Sequence, residues 1–250
     1  MEYTETRGKN ALGSPILRIK ETGSTMDDAR EFGRLGYPDG TAFFADFQTA
    51  GRGRIAGRTW ESGNRESLLC TVLLRRKPVA GFTLRVGLAV SRALDRFLAD
   101  GKRTAIKWPN DVLLDGKKLA GILCENTGDA LLVGTGMNLA QAKFPGELCR
   151  RAISLAMANG ATGPAAPTPE EALEAYLAEL ALALEDDGWA RAVGERLWKR
   201  GERSRFIPGD PGRENAVEGI VEGIGSQGEL ILRMSDSSEP RRFFTGEFPY

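Results

Sequence analysis

The chain contains no histidine among its 250 residues. This absence excludes Ser-His-Asp and Cys-His catalysis, and it removes the commonest zinc ligand. Any chemistry must therefore use lysine, arginine, carboxylates and backbone amides, with Mg²⁺ as the candidate ion.

Cysteine is also scarce: the three thiols, Cys70, Cys124 and Cys149, lie far apart and form no CxxC pair. Such spacing is typical of reduced thiols in a cytoplasmic protein. No apolar run approaches the ~18 residues of a membrane span. The polar N-terminus, MEYTETRGKN, lacks the apolar core of a signal peptide. The sequence therefore predicts a cytoplasmic protein with no membrane partner.

Net charge is absent too, because 34 Lys and Arg balance 34 Asp and Glu. Zero net charge and only 8% aromatic residues argue against the basic face and stacking platform of a nucleic-acid-binding module, which is the distant alternative here. The hydrophobic fraction of 41% is ordinary for a globular protein. The length provides room for one large domain, alone or with a small one.

A cationic loop stands out against this balanced composition. Gln48–Trp60 reads QTAGRGRIAGRTW, contains no acidic residue and follows a predicted strand, Thr41–Gln48. Its glycines permit close approach of the backbone to a ligand, and its arginines provide forked donors suited to carboxylate or phosphate. We expect the loop to fold over an anion; the alternative is a solvated basic surface loop.

A second motif, IKWPNDVLLDGKKLAGILCE, lies at Ile106–Glu125. Within it, Asp115-Gly116 predicts a tight hairpin turn. GRGR followed by KWPND and KLAGIL, in this order and spacing, resembles the biotin protein ligases. The Ser24-Thr25 pair falls where that family carries a Ser-Thr-Asn motif, and the resemblance extends from about Ile16 to the C-terminus.

The resemblance implies an α+β fold in which a mixed, largely antiparallel sheet is packed with helices, as in the class II synthetase-like biotin–lipoate ligases. It also implies a catalytic biotin- and ATP-binding domain over residues 1–202 and a small SH3-like β-barrel over residues 203–250. Local patterns predict helices over Phe82–Asp100 and Trp189–Arg200, and a linker over Gly201–Gly212. A barrel of this size is marginal alone, so we expect it to dock on the main domain.

The implied function is that of an ATP-dependent biotin protein ligase with ATP and Mg²⁺ as cofactors. Such a ligase activates biotin as biotinyl-5′-AMP and transfers it to a lysine of the biotin carboxyl carrier domain of a carboxylase. A lipoate–protein ligase, which shares the fold and the adenylation logic, is the alternative. Only residues 1–14 precede the first predicted strand, so we expect a monofunctional ligase without DNA as a partner. The sequence leaves monomer and homodimer open.

The resemblance also assigns site residues by their place in the family's motifs. The implied biotin-binding residues are Ser24, Thr25, Gln48, Gly51, Arg52, Gly53, Arg54, Lys118 and Gly121. The implied ATP-binding residues are Arg54, Trp60, Lys107, Asn110, Asp111, Lys118 and Asn138. Lys118 and Arg54 are the catalytic candidates, because cations must screen the repulsion that arises when a carboxylate meets the α-phosphate.

Several of these residues have structural alternatives. The Ser24-Thr25 pair can cap the following helix. Trp60 can be a core tryptophan, and Lys118 can be a solvated hairpin lysine. Asp111 either holds Mg²⁺ through water or is a structural acid that partners Lys107 or an arginine.

Two positions depart from the family's pattern. Met26 stands where the family usually has asparagine, which puts a side-chain contact there in doubt. The loop GRGRIAGRTW is one residue longer than the common GRGRxGRxW, which shifts Arg58 relative to Arg54.

The hairpin register decides which face each lysine takes. Strict alternation from the Asp-Gly turn places Lys118 and Ala120 on one face and Lys117, Leu119 and Gly121 on the other. We expect Lys118 to face the ligand.

Overall fold

The structure is a computed structural model that describes residues 3–55, 57–209, 216–235 and 239–249. The strands are β1 (Thr4–Glu5), β2 (Ile16–Thr22), β3 (Thr41–Gln48), β4 (Ser67–Leu74), β5 (Ala105–Lys107), β6 (Asp111–Leu114), β7 (Lys117–Asn126), β8 (Leu131–Asn138), β9 (Arg203–Pro208), β10 (Val217–Ile224), β11 (Leu230–Met234), β12 (Arg241–Phe243) and β13 (Gly246–Glu247). The helices are α1 (Thr25–Arg34), α2 (Phe82–Asp95), α3 (Leu148–Arg151), α4 (Leu155–Asn159), α5 (Pro169–Glu185) and α6 (Trp189–Gly194). None of these helices is long and apolar enough to cross a membrane.

Eight strands form the main sheet in the order β1-β2-β3-β4-β8-β7-β6-β5. Strands β2 and β3 run parallel and are joined through α1, because a parallel pair needs a crossover connection. The other pairs in this sheet are antiparallel. The predicted mixed, largely antiparallel sheet with packed helices is confirmed.

Helices cover both faces of the main sheet. On one face, α2 and α5 enclose the largest hydrophobic cluster, which includes Phe44, Val72, Val133 and Tyr176. On the other face, α1 covers a smaller cluster around Phe43. The remainder of that second face is open, and the candidate site lies there.

Local sequence signals explain where the helices begin. Thr168 caps α5: its hydroxyl accepts from the backbone N–H of Glu171, whose carboxylate accepts in return from the backbone N–H of Thr168. Ser24 caps α1 by accepting from the N–H of Met26. Helices α2 and α6 end earlier than predicted, at Asp95 and Gly194.

A second sheet of five strands has the order β12-β11-β10-β9-β13. Its first strand, β9, occupies part of the segment predicted as a linker, so that prediction is wrong for Arg203–Pro208. The glycine, proline and charge of the segment indicated a loop, but antiparallel pairing with β10 gives its backbone hydrogen bonds a partner. Residues 210–212 of the predicted linker lie outside the described residues.

The second sheet packs against the part of the chain that forms the main sheet, as expected for the C-terminal strands. One hydrophobic cluster contains Leu88 and Trp108 from the first part of the chain and Phe206 and Leu232 from the second. The indole Nε1 of Trp108 also donates to the backbone oxygen of Gly228 at 2.9 Å. The two sheets therefore share a core.

The β6–β7 hairpin has the predicted turn, but its two strands do not keep the regular pairing that strict alternation requires. Asp115 and Gly116 have φ values of 50° and 76°, as the tight turn requires. The pairing shifts between Val112 and Leu113, which leaves Leu119 without an opposite residue. This β-bulge breaks the alternation of side chains.

The bulge corrects the predicted face assignment. Leu119 and Ala120 both enter the cluster under α2 and α5. Lys118 instead lies on the same face as Gly121, because its Nζ is 3.0 Å from the position of a Cβ built on that glycine. The prediction that Lys118 and Gly121 point to opposite faces is therefore wrong.

Candidate active site

A pocket of about 530 Å³, its open mouth included, lies on the exposed part of the sheet face that α1 covers. The predicted residues that line it are Ser24, Thr25, Gln48, Arg52, Gly53, Arg54, Trp60, Asn110, Lys118 and Gly121. The predicted residues that do not line it are Gly51, Lys107, Asp111 and Asn138.

One end of the pocket is built from buried hydroxyl and amide groups. The side-chain oxygen of Gln48 accepts from both the backbone N–H and the hydroxyl of Thr25, at 2.8 and 3.0 Å. The Thr25 hydroxyl also lies 2.9 Å from that of Thr71. Because its oxygen is occupied twice, Gln48 has its NH₂ group left to offer to a ligand. Capping by Ser24 and lining of the pocket by Thr25 occur together.

The other end carries Lys118. Its Nζ lies 2.6 Å from a carboxylate oxygen of Asp111 and 5.6 Å from the ring centre of Trp60. The side chain of Lys118 is 31% exposed and that of Asp111 12% exposed. Lys118 is thus fixed between a carboxylate and an aromatic face, and it is not a solvated hairpin lysine.

The Trp60 ring packs closely against two glycines of the sheet, Gly121 and Gly136. A Cβ built on Gly136 would come within 2.6 Å of its ring, and one built on Gly121 within 3.0 Å. Trp60 is half-buried and outside the hydrophobic clusters. Its indole Nε1 is buried and has no hydrogen-bond acceptor among the described residues. A buried donor without an acceptor is costly, so this N–H is available to a ligand.

The arginine loop forms a short hairpin across the pocket. Gly53 N–H donates to the Arg58 carbonyl at 2.8 Å, and Trp60 N–H donates to the Gly51 carbonyl at 3.0 Å. A Cβ on Gly51 would lie 2.7 Å from the Trp60 carbonyl oxygen, so only glycine fits there. Gly51 therefore acts through the shape of the loop and does not line the pocket.

Arg52 reaches across to α1. Its two terminal nitrogens donate to the two oxygens of Asp27 at 2.6 and 2.8 Å. Hydrogen bonding by Arg52, followed by that from Arg30, holds the pKa of the Asp27 carboxyl below its usual range. The pair ties the loop to the first turn of α1, beside Ser24 and Thr25.

Arg54 and Arg58 reach instead to the C-terminal sheet. Arg58 makes a two-pronged pair with the Glu247 carboxylate at 2.8 and 2.9 Å. Arg54 donates to the Gly246 carbonyl at 3.3 Å and lies 3.7 Å from Glu247. The loop thus rests on α1 at one side and on β13 at the other.

Lys107 and Asn138 lie behind the pocket. Burial lowers the pKa of Lys107 to about 8, an effect that the carboxylates of Asp111 and Glu247 partly oppose. Asn138 donates to the backbone carbonyls of Lys118 and Ile153, at 3.3 and 3.1 Å. Asn138 therefore holds the backbone of the strand that carries Lys118.

Asn110 lies at the rim of the pocket. Its side-chain nitrogen donates to the Ile122 carbonyl at 2.8 Å. Its amide oxygen takes no part in that bond.

Asp111 is the carboxylate that could hold a metal. Among the described residues, no three His, Cys, Asp or Glu side chains cluster in a way that could enclose an ion. Asp111 is paired with Lys118, and its charge also acts on Lys107, one of the partners that the structural alternative predicted. Mg²⁺ commonly takes one or two carboxylates and completes its shell with phosphate oxygens and water. A single aspartate is therefore enough protein ligand for such a site.

The comparisons with known proteins agree with this geometry. Residues 18–140 match the model of the Biotin/lipoate A/B protein ligase family. Over 226 residues the chain is 34% identical to the biotin–[acetyl-CoA-carboxylase] ligase of Mycobacterium tuberculosis, which covers 86% of this chain and 81% of that relative. The chain belongs to the biotin protein ligase family.

A second relative is matched over a smaller share of its own length. The bifunctional ligase/repressor BirA of Bacillus subtilis is 35% identical over 168 residues, which are 63% of this chain and 49% of BirA. The chain therefore spans about half the length of that relative. Among solved structures, the biotin protein ligase from Aquifex aeolicus in complex with biotin and ATP has a TM-score of 0.79 and 27% identity, and the match covers 94% of this chain and 97% of that one.

Sequence reasoning missed part of the pocket lining. The further lining residues are Met26, Leu69, Cys70, Ile122, Leu123, Gly134, Thr135 and Gly136. A Cβ on Gly134 would lie 2.7 Å from the Met26 sulfur, so α1 approaches the sheet through that glycine. Glycine at alternate positions of a strand was the available signal, because it marks a face that another group approaches closely.

Proposed function

We propose that the chain is an ATP-dependent biotin protein ligase. The observation that carries the proposal is one continuous pocket with Thr25 and Gln48 at one end and Lys118 and Arg54 at the other. Hydroxyl and amide groups suit the polar ureido head of biotin, which must be hydrogen-bonded when buried. The cationic end suits its carboxylate and the phosphates of ATP.

In the first step, a biotin carboxylate oxygen attacks the α-phosphorus of ATP. The new P–O bond gives biotinyl-5′-AMP, and the bond to the β-phosphate oxygen breaks, so that pyrophosphate leaves with the electron pair. Lys118 and Arg54 screen the two anions as they meet, and they stabilise the charge of the transition state. Trp60 offers its indole face and N–H beside them for the nucleotide.

In the second step, the ε-amine of a lysine on a carboxylase carrier domain attacks the acyl carbon of biotinyl-AMP. An amide forms as the bond between the acyl carbon and the AMP phosphate oxygen breaks, AMP leaves with the electron pair, and the proton of the amine passes to water. Neither step needs a covalent enzyme nucleophile, in agreement with the lack of histidine.

Mg²⁺ fits this chemistry as a partner of the phosphates. Asp111, with Lys118 at 2.6 Å, is the residue proposed to hold it. When bound, the ion supplies positive charge to the phosphate oxygens.

The proposal extends to organisation and location. We assign the catalytic domain to residues 1–202 and an SH3-like barrel to residues 203–250, supported by the five-stranded second sheet. The three free thiols support a reducing, cytoplasmic location.

The test is an incubation of the enzyme with MgATP, a carrier domain, and either biotin or lipoate. We expect the carrier mass to increase by one biotinyl group, and ATP–pyrophosphate exchange to depend on biotin. Exchange that depends on lipoate alone would establish the lipoate alternative instead. The absence of exchange with either acid would refute the adenylation chemistry.

A further inference from the structure

The carboxylate of Glu247 lies at the meeting point of the C-terminal sheet and the arginine loop, 189 residues away from Arg58 in sequence. Its side chain is only 15% exposed. It forms both bonds of a planar pair with Arg58 and lies 3.7 Å from Arg54. Two-pronged arginine–carboxylate pairs fix orientation as well as distance.

The backbone around Glu247 is held firmly. Gly246 has a φ of 139°, and a Cβ there would lie 2.4 Å from the Ile207 carbonyl oxygen and the Phe206 ring. On the other side, Phe248 is buried against Phe206 and Trp198, with ring centres 5.3 and 5.8 Å apart. Glu247 therefore projects from a fixed point toward the loop.

Arg58 and Arg54 make different contacts with Glu247. Arg58 does not line the pocket, and both prongs of its guanidinium bind Glu247. Arg54 lines the pocket, and among the described residues its contacts are the Gly246 carbonyl and the long approach to Glu247. The remaining donors of Arg54 are therefore available to an anion in the pocket.

The net charge around the pocket favours binding of such an anion. Four cations, Arg54, Arg58, Lys107 and Lys118, lie near two carboxylates, Glu247 and Asp111. Four positive and two negative charges give a local formal charge of +2. One of the two carboxylates is occupied by Arg58, which is outside the pocket, so Glu247 does not cancel the charge that faces the ligand.

We propose that Glu247 and Arg58 form a clamp that positions Arg54 for the adenylation step. Both are positioning residues, since they act through the loop and do not touch the reacting atoms. This inference rests on the proposed function and adds to it a role for the C-terminal sheet in the chemistry.

The experiment compares Glu247→Gln, Arg58→Ala and the double variant with the wild type. The readouts are kcat and the two KM values for biotinyl-AMP formation, together with amide hydrogen exchange across the loop without ligand. The matched control is Glu222→Gln, which removes a carboxylate paired with Arg233 elsewhere in the same sheet. Glu247→Asp keeps the charge but shortens the side chain.

We expect Glu247→Gln to lower kcat about tenfold and to raise the KM for ATP, because a misplaced catalytic group can cost up to about 10²-fold. The KM for biotin should stay within about twofold, since Thr25 and Gln48 are untouched. Loop amides should exchange faster in the variant, Glu247→Asp should recover part of the rate, and the control should match the wild type. The double variant should be no slower than the slower single variant, because the two residues act as one unit.

Three results would overturn the clamp. They are unchanged kcat and loop exchange in Glu247→Gln, tighter ATP binding in that variant, or losses that multiply in the double variant. Arg58 is 54% exposed, so Arg58→Ala tests the clamp even if Glu247→Gln does not fold. A wild-type enzyme that forms no biotinyl-AMP would refute the proposed function, whereas the loop exchange tests the clamp without turnover.

Discussion

Removing the Lys118 ammonium should lower both the rate of catalysis and the stability of the protein, and a second substitution should restore only the stability. Lys118→Ala deletes the cation proposed to meet the biotin carboxylate and the α-phosphate. Loss of one preorganised electrostatic group typically costs about 10²- to 10³-fold in kcat, or about 2.7–4 kcal/mol. The KM for biotin should change much less, because contacts that exist before the transition state remain at Thr25 and Gln48.

The same substitution leaves Asp111 without its lysine 2.6 Å away. Breaking a fully buried pair by removing one partner costs about 3–5 kcal/mol. Lys118 is 31% exposed. The cost should therefore lie between the values for exposed and for buried ion pairs, at about 1–3 kcal/mol. Lys118→Ala combined with Asp111→Asn should recover this stability and none of the rate.

The assay is single-turnover formation of biotinyl-AMP, with thermal unfolding of the same samples. Lys117→Ala is the control, because Lys117 is the neighbouring strand residue and does not line the pocket; it should retain nearly full activity. A crippled Lys117→Ala, or a double variant in which lost stability and lost rate return together, would refute the role given to Lys118.

Three other perturbations test the site. Gly136→Ala places a methyl group 2.6 Å from the Trp60 ring, and overpacking of about 1–3 kcal/mol should raise the KM for ATP about tenfold. Gly223→Ala, at an open position, is the control, and equal KM values for the two variants would count against Trp60 as a nucleotide contact. Burial lowers the pKa of Lys107 to about 8, so its charge is lost as the pH rises through that value and biotinyl-AMP formation should decline. Lys107→Arg should keep its rate to higher pH, and a flat wild-type profile from about pH 7 to about pH 9 would contradict this reasoning. Binding of biotin should slow amide exchange in the arginine loop, chiefly at amides other than those of Gly53, Arg58 and Trp60, which are already hydrogen-bonded; an unchanged exchange pattern would show that the loop does not close on the ligand.

The pH dependence of stability follows from the same lysine. The folded state disfavours the charged form of Lys107, whose ordinary pKa is 10.5. Between about 8 and 10.5 the unfolded chain binds more protons at this site than the folded chain does. The contribution of Lys107 to stability should therefore rise with pH over that interval.

Short-range signals in the sequence were sufficient for the local structure. Asp115-Gly116 predicted the hairpin turn, and Thr168 with Glu171 fixes the start of α5 in the structure, because each depends on residues within one turn of chain. The bulge at Leu119 could not be read in this way. Strict alternation is the default for a strand, and the bulge is visible only once the pairing with β6 is known.

The long-range ion pairs of the site could not be predicted from a single sequence. Arg52 finds Asp27 at 25 residues' separation, and Arg58 finds Glu247 at 189. Motif matching identified many of the residues that line the pocket. It gave no information on Asp27 and Glu247, the carboxylates that hold the loop arginines, because they come from elements folded against the site.

The shared hydrophobic cluster of the two sheets limits how this chain can be cut or recombined. Trp108 and Leu88 from the main domain are buried against Phe206 and Leu232 from the C-terminal strands. Separating the parts would expose apolar surface on both, so the chain should melt as one cooperative unit. A ligand that binds the folded state therefore also protects strands that it does not touch. Grafting the C-terminal strands onto another member of the family would require the matching tryptophan side of the interface to move with them.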